Sequence, residues 1–144
     1  MEQETRVVAA DQKAINVCIT CLWSGKVLYE YSAMDNNERI TLERAVANQA
    51  DLYGAQLSDL NLSNAHLAGA KLCGADLSGS VLDGADLQNA NLFGSDLTDA
   101  SLIKANLRDA NLSDVDFSRA DLSGADLTGA DLSQAIFDQA KIDQ

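Results

Sequence analysis

From Ala50 to Gln144 the chain keeps a period of five residues without a slip, through nineteen consecutive units. The third residue of the unit is Leu in sixteen, the exceptions being Phe117, Phe137 and Ile142. The first is Ala in fifteen, the exceptions being Leu60, Ser80, Ser95 and Val115. Asp, Asn, Ser, Thr and Gly fill most of the remaining positions. Such a period suits neither regular element. On an α-helix successive Leu would lie about 140° apart and scatter around the axis. On a straight strand five is odd, so successive Leu would alternate faces. The chain must therefore turn once per unit. Ala and Leu, two apart on extended backbone, share a side, and the short polar residues make the corner. Repetition gives a coil with Ala and Leu inside. Stacked coils satisfy each other's backbone groups at about 4.8 Å, which makes a solenoid.

Composition narrows what such an object can touch. The 144 residues carry 22 acids against 10 bases, a formal charge of −12. Binding nucleic acid through phosphates needs a basic face, so direct nucleic-acid binding is not expected. The chain is 47% hydrophobic, which argues against a disordered acidic tail. No apolar run approaches the roughly 18–20 residues of a membrane span. Met1 to Asp11 has no secretory pattern, and three Cys with one His suit a reducing compartment. The expectation is a cytoplasmic protein. Pro is absent, as strand ladders that need every N–H would require.

Runs such as ADLSG at 75–79 and 120–124, ADLQN at 85–89 and ADLTG at 125–129 resemble the pentapeptide-repeat family. The resemblance covers residues 50–144. It implies a mainly β fold, a right-handed quadrilateral β-helix with four units, or 20 residues, per coil. It also implies two modes of action known in the family: end-to-end dimerisation through the C-terminal coils, and imitation of duplex DNA by binding to DNA gyrase.

Residues 1–49 form a separate N-terminal element. Ile15 to Trp23 alternates, with Ile15, Val17, Ile19, Cys21 and Trp23 on one side. Ser24-Gly25 reads as a two-residue turn and Lys26–Tyr31 as a second strand. Asp35 and Glu38 stand at capping-box spacing, and Glu38–Gln49 reads as a short helix with Leu42, Ala45 and Val46 inward. A rival reading has Ile40/Leu42 and Ala45/Ala47 continuing the repeat in phase. Hairpin and helix would cap the first coil, whose bare core and strand edges are otherwise aggregation hazards.

With 20 residues per coil, three outer features stand out. Asp76, Asp96 and Asp116 form a column, and Asp59, Asp99 and Asp138 lie on the same face, interrupted by Arg119. This face suits a basic protein partner, although Asp is also a generic corner residue. Tyr53, Cys73 and Phe93 form an outward stripe beside Gly54, Gly74 and Gly94, either a partner surface or the seat of the hairpin. Val115, Phe117, Ile136, Phe137 and Ile142 mark an uncapped end where a second copy would pack into a homodimer. Phe117 and Phe137 would also stack inside.

Catalytic chemistry has little footing. Cys18 and Cys21 form a CxxC, but residues three apart on a strand point to opposite faces. Adding His66 and Cys73 gives a zinc set on paper that the spacing does not support. A single His supports no nucleophilic triad, and the Gly recur at corners rather than in a phosphate loop. No cofactor or metal is expected. The sequence thus reads as a non-enzymatic protein-protein interaction module with flat acidic faces. The alternatives are a DNA mimic acting on DNA gyrase and a structural component of a phage or multiprotein assembly.

Overall fold

The computed structural model describes residues 15–33 and 37–143. A hairpin of β1 (Ile15–Thr20) and β2 (Val27–Ala33) is followed by helix α1 (Glu38–Ala47), and the repeat then begins. Repeat residues pair in parallel with residues 20 further on: Asp51 with Lys71, Lys71 with Asn91, Asp121 with Lys141. Four units therefore close each coil, one on each of four faces: the first holds 50–54 and 70–74, the second 55–59 and 75–79, the third 60–64 and 80–84, the fourth 65–69 and 85–89, and so on down the coils.

The turn repeats with one geometry. Ala55 N–H donates to the Leu52 carbonyl at 3.0 Å, and the same bond recurs at Ala75, Ala85 and Ala105. The fifth residue of the unit takes a positive φ, as the third residue of a type II turn does. Gly fills many of these positions, but Asp59, Lys104 and Arg119 adopt φ of 58°, 58° and 60° there. Between coils, Leu52 N–H donates to Lys71 O at 3.0 Å, Gly54 N–H to Cys73 O at 2.9 Å, and Asp76 N–H back to Ala55 O at 2.9 Å.

The second position has a structural task of its own. Asp76 Oδ1 accepts from Ser78 N–H at 3.0 Å and from its hydroxyl at 2.6 Å, and Asn111 does the same with Ser113 at 3.1 and 2.5 Å. These Asx turns hold the backbone as it enters the corner. On the third face Val81 and Ser101 occupy this position and cannot do so. For the Ser101 unit Asp83 compensates from the coil above, its Oδ1 accepting from Ser101 Oγ at 2.6 Å and Ile103 N–H at 3.0 Å.

Inside, the Leu column from Leu52 to Leu122 is buried, with Phe117 completing it. Ser80 and Ser95 replace Ala in the core without leaving a polar group stranded. Their hydroxyls donate to the Leu77 and Leu92 carbonyls, each at 2.6 Å. Phe117 stacks on Phe137 with ring centroids 5.2 Å apart and planes at 11°, as expected.

At the N-terminal end the 38–47 segment is helix rather than a further half-coil. Its N-cap is Asn37, whose side chain accepts from Ile40 N–H at 2.9 Å. Asp35, the expected partner of Glu38, lies outside the described residues. Thr41, Leu42, Ala45 and Val46 are buried, and the three apolar ones join the coil core. Glu43 supplies an acceptor where a coil above would offer a carbonyl: its Oε1 takes His66 N–H at 2.9 Å and Arg39 at 3.2 Å. The hairpin attaches beside it. Gln56 N–H donates to Thr20 O and Leu22 N–H to Gly54 O, both at 2.8 Å. Asn48 Nδ2 donates to Tyr29 Oη at 2.7 Å, tying the helix end to β2.

Two hairpin expectations are corrected. A register irregularity between Ile19 and Thr20 ends the alternation, so Ile19 is buried while Trp23 is 63% exposed. The connection is also longer than Ser24-Gly25. Cys21 N–H bonds Lys26 O at 2.8 Å and Gly25 N–H bonds Cys21 O at 2.9 Å around residues 22–25.

The Asx turns make a pH prediction. Asp121, Asp126 and Asp131 have lowered pKa values, in each case chiefly because a Ser or Thr hydroxyl two residues on hydrogen-bonds the carboxylate. A depressed folded pKa contributes stability that is present above the unfolded value, about 4, and is lost as pH falls through the folded value. Thermal unfolding followed by circular dichroism is expected to hold steady from neutrality to about pH 5 and then drop. The triple change Asp121→Asn, Asp126→Asn, Asp131→Asn keeps the Oδ1 acceptor but not the charge, and is expected to unfold somewhat below the wild-type temperature at pH 7. It should lose less between pH 5 and pH 3. An unchanged acid limb would contradict this account.

Candidate interaction surfaces

The coil register places all six expected acids on one face. Asp76, Asp96 and Asp116 are successive partners in one parallel ladder, with Gln56 before and Ile136 after them. Asp59 and Asp99 share its fifth-position column, and Asp138 lies in its fourth. This face carries six carboxylates against one guanidinium. Each of the other three carries three carboxylates and one or two bases. Arg119 does more than interrupt the face. Its Nε and Nη2 grip both oxygens of Asp99 at 2.8 and 2.7 Å, which lowers the Asp99 pKa and raises that of Arg119. Asp116 and Asp138 add to the field at Arg119. The in-register part of the face is thus the 76–96–116 ladder, which forms no ion pair of its own among the described residues and whose turn bonds use Oδ1 alone. The Asx role was readable in advance from the recurring Asp/Asn-Leu-Ser/Thr spacing.

The stripe of Tyr53, Cys73 and Phe93 receives the hairpin tip along its upper part. Trp23 lies against Tyr53, ring centroids 5.4 Å apart and planes at 51°. A Cβ on Gly54 would stand 2.8 Å from the indole, and one on Gly74 3.2 Å. The indole therefore fits only because that column has no side chains. Tyr53 and Phe93 remain 52% and 44% exposed.

The end surface needs correction. Val115 and Phe117 are wholly buried, because the coil beneath covers them. They cannot meet a second copy. From Ala125 onward the inward positions lose that cover: Leu127, Leu132 and Phe137 are half-buried and Ile142 is 44% exposed. Ile136 points outward and is 51% exposed.

Cys18 is exposed, whereas Cys21 turns toward Gly54, so the CxxC does not converge. The Cys21 pKa is lowered, first by the Ser24 hydroxyl and then by the Ser24 and Trp23 N–H groups. Among the described residues no three His, Cys, Asp or Glu are placed to hold a metal, and no helix is long and apolar enough to cross a membrane.

Trp23 provides a direct test of the hairpin seat. Gly54 and Gly69 share a left-handed backbone, φ +66° and +70°, but a Cβ at Gly69 meets nothing within 4 Å. Gly69→Ala should cost only the backbone strain, about 1–2 kcal/mol. Gly54→Ala should cost more and shift the emission of Trp23, the chain's single tryptophan. Equal costs and identical spectra would refute the seat.

A model of the pentapeptide repeats matches eight copies, over residues 38–65, 61–99 and 95–139. Its first match starts within α1, where Ile40/Leu42 and Ala45/Ala47 keep the phase of the repeat. Among solved structures, a pentapeptide-repeat protein of the Arabidopsis thaliana thylakoid lumen is 30% identical over 56% of this chain and 60% of its own, with TM-score 0.44. HetL, a pentapeptide-repeat protein involved in heterocyst differentiation regulation in the cyanobacterium Nostoc, is 36% identical over 59% of this chain and 50% of its own, with TM-score 0.42. QnrB1, a plasmid-mediated fluoroquinolone resistance protein, is 17% identical over 62% of this chain and 58% of its own, with TM-score 0.25. This chain thus spans between half and about three fifths of these relatives. No curated sequence matches it significantly. The repeat model covers well over half of the residues, and the chain belongs to the pentapeptide-repeat family.

Proposed function

We propose that this protein is a non-enzymatic interaction module that engages a basic protein surface through its second face. The in-register ladder of Asp76, Asp96 and Asp116 carries this reading. Three carboxylates spaced by one coil, about 4.8 Å apart, repel one another. A cationic partner relieves that repulsion and is steered to it. The same ladder supports the narrower reading, a DNA mimic that binds DNA gyrase. From Ala50 onward the repeat holds fifteen acids and five bases. The Arg119–Asp99 pair weighs against the mimic, because it neutralises part of the face that would have to resemble phosphate. The structural-component reading, in a phage or multiprotein assembly, rests on the flat faces alone.

Replacing Asp76, Asp96 and Asp116 by Asn removes charge while keeping the Asx acceptors. A partner held by the wild-type protein at about 0.15 M salt is expected to be released near 1 M salt and not to be held by the variant. Equal retention by the variant would remove the acidic face from the function. In a supercoiling assay with gyrase, a wild-type protein without effect at micromolar concentration would remove the mimic.

A homodimer through the last coils completes the proposal. The half-buried Leu127, Leu132 and Phe137 with exposed Ile142 form an apolar end. A coil's lower edge offers both acceptors and donors, since Ala55 O accepts while Leu52 and Gly54 N–H donate. Two such ends can therefore pair about a two-fold axis. Light scattering is expected to show a dimer that Phe137→Asp converts to monomer; a monomer at all concentrations would refute it.

A further inference from the structure

The corner between the first and second faces differs from every other. Its fifth-position column runs Gly54, Gly74, Gly94 and then Asp114. The three glycines have φ near +65° and leave a trough without side chains. Trp23 fills it over Gly54 and Gly74, whereas a Cβ at Gly94 would meet nothing within 4 Å. One wall is aromatic. Tyr53 and Phe93 stand beside the trough, and Trp23 closes its upper end with 63% of its surface exposed. The opposite wall is anionic. Each turn leads, one inward residue later, to the acid ladder: Cys73-Gly74-Ala75-Asp76 and Phe93-Gly94-Ser95-Asp96. The exposed Asp114 lies below Gly94.

Among the described repeat residues no cation of these two faces is free to serve this corner, and Lys26 of the hairpin lies near its upper end, lining a hollow with Cys21, Asp51 and Tyr53. On these two faces the bases are Lys71 and Arg119. Lys71 Nζ donates to the Gln49 carbonyl at 3.2 Å, and Arg119 is bound to Asp99. What remains is an open strip with exposed aromatic rings on one side and carboxylates on the other. A guanidinium meets both needs at once: its plane stacks on an aromatic ring while its edge donates to a carboxylate. An ammonium satisfies only the charge. From the Tyr53 step to the Phe93 step is two coils, about 9.6 Å, or roughly three residues of extended chain.

We infer that this corner is a docking strip for an extended, arginine-bearing segment of a partner protein, with guanidinium groups seated between the Trp23–Tyr53–Phe93 wall and Asp76, Asp96 and Asp114. The inference rests on the acidic-face reading and specifies the partner's chemistry.

Calorimetric titration tests it, with Trp23 emission as the local reporter. The probes are capped Arg-Ser-Arg-Ser-Arg-Ser and its Lys-Ser counterpart of equal charge. The arginine peptide should bind about three- to tenfold more tightly and shift Trp23 emission. Phe93→Ala should remove most of that preference without lowering the unfolding temperature, since Phe93 lies outside the core. Asp96→Asn should weaken both peptides. Equal affinities unaffected by Phe93→Ala would overturn the inference while leaving the acidic face as a charge-only surface. Binding without a change in Trp23 emission, or no binding of either peptide, would overturn it too. The acidic-face reading would then stand or fall on the partner-retention experiment with the triple Asn variant.

Discussion

Every coil of this protein depends on one backbone event, the reversal of direction at the fifth residue of each unit. That residue sits in the left-handed region, which L-residues enter only at a cost. Gly is the inexpensive solution, yet Asp59, Lys104 and Arg119 accept the strain. The reversal persists because it is held from several sides. The turn closes on itself through the carbonyl of the inward Leu, the Asx oxygen fixes the approach, and neighbouring coils hold the amides above and below. A residue whose local preference opposes the turn is overruled by a bond to the residue 19 positions on, as Asp59 N–H to Ser78 O.

The same economy explains the ends. A solenoid coil needs a neighbour on each side for its core and its backbone. At the N-terminal end unlike elements supply one. The helix covers the Leu column, the Glu43 carboxylate stands in for a strand carbonyl, and the hairpin hooks onto the corner at Gly54 and Gln56. At the other end, among the described residues, the inward positions beyond Leu122 have no equivalent cover. Among the described residues the exposed large apolar side chains are concentrated at the hairpin and aromatic corner near the cap and at the 135–142 stretch.

The surface chemistry follows from a division of labour among the acids. Second-position Asp are turn residues as well as charges: Oδ1 closes the Asx turn, and a partner meets what remains of the carboxylate. Arg119 subtracts further. What is left is local: one ladder of three carboxylates, bordered on one side by exposed aromatic rings. This neighbourhood, rather than the net charge of the chain, gives the second face its character.

The five-residue period by itself determined which residues go inside, how often the chain turns, and that coils stack. These are local choices, made by Ala, Leu and a few corner residues and written into every unit. The acidic face was also legible once 20 residues were taken to close a coil. Only the tertiary structure decided that Trp23 seats on glycines 31 and 51 residues away, that Asp83 serves the coil below, that Arg119 binds Asp99, and that Val115 and Phe117 are sealed while Phe137 is not. The reason is geometric. A repeat encodes what recurs, whereas these contacts each occur once, between residues whose separation in the chain carries no local signal.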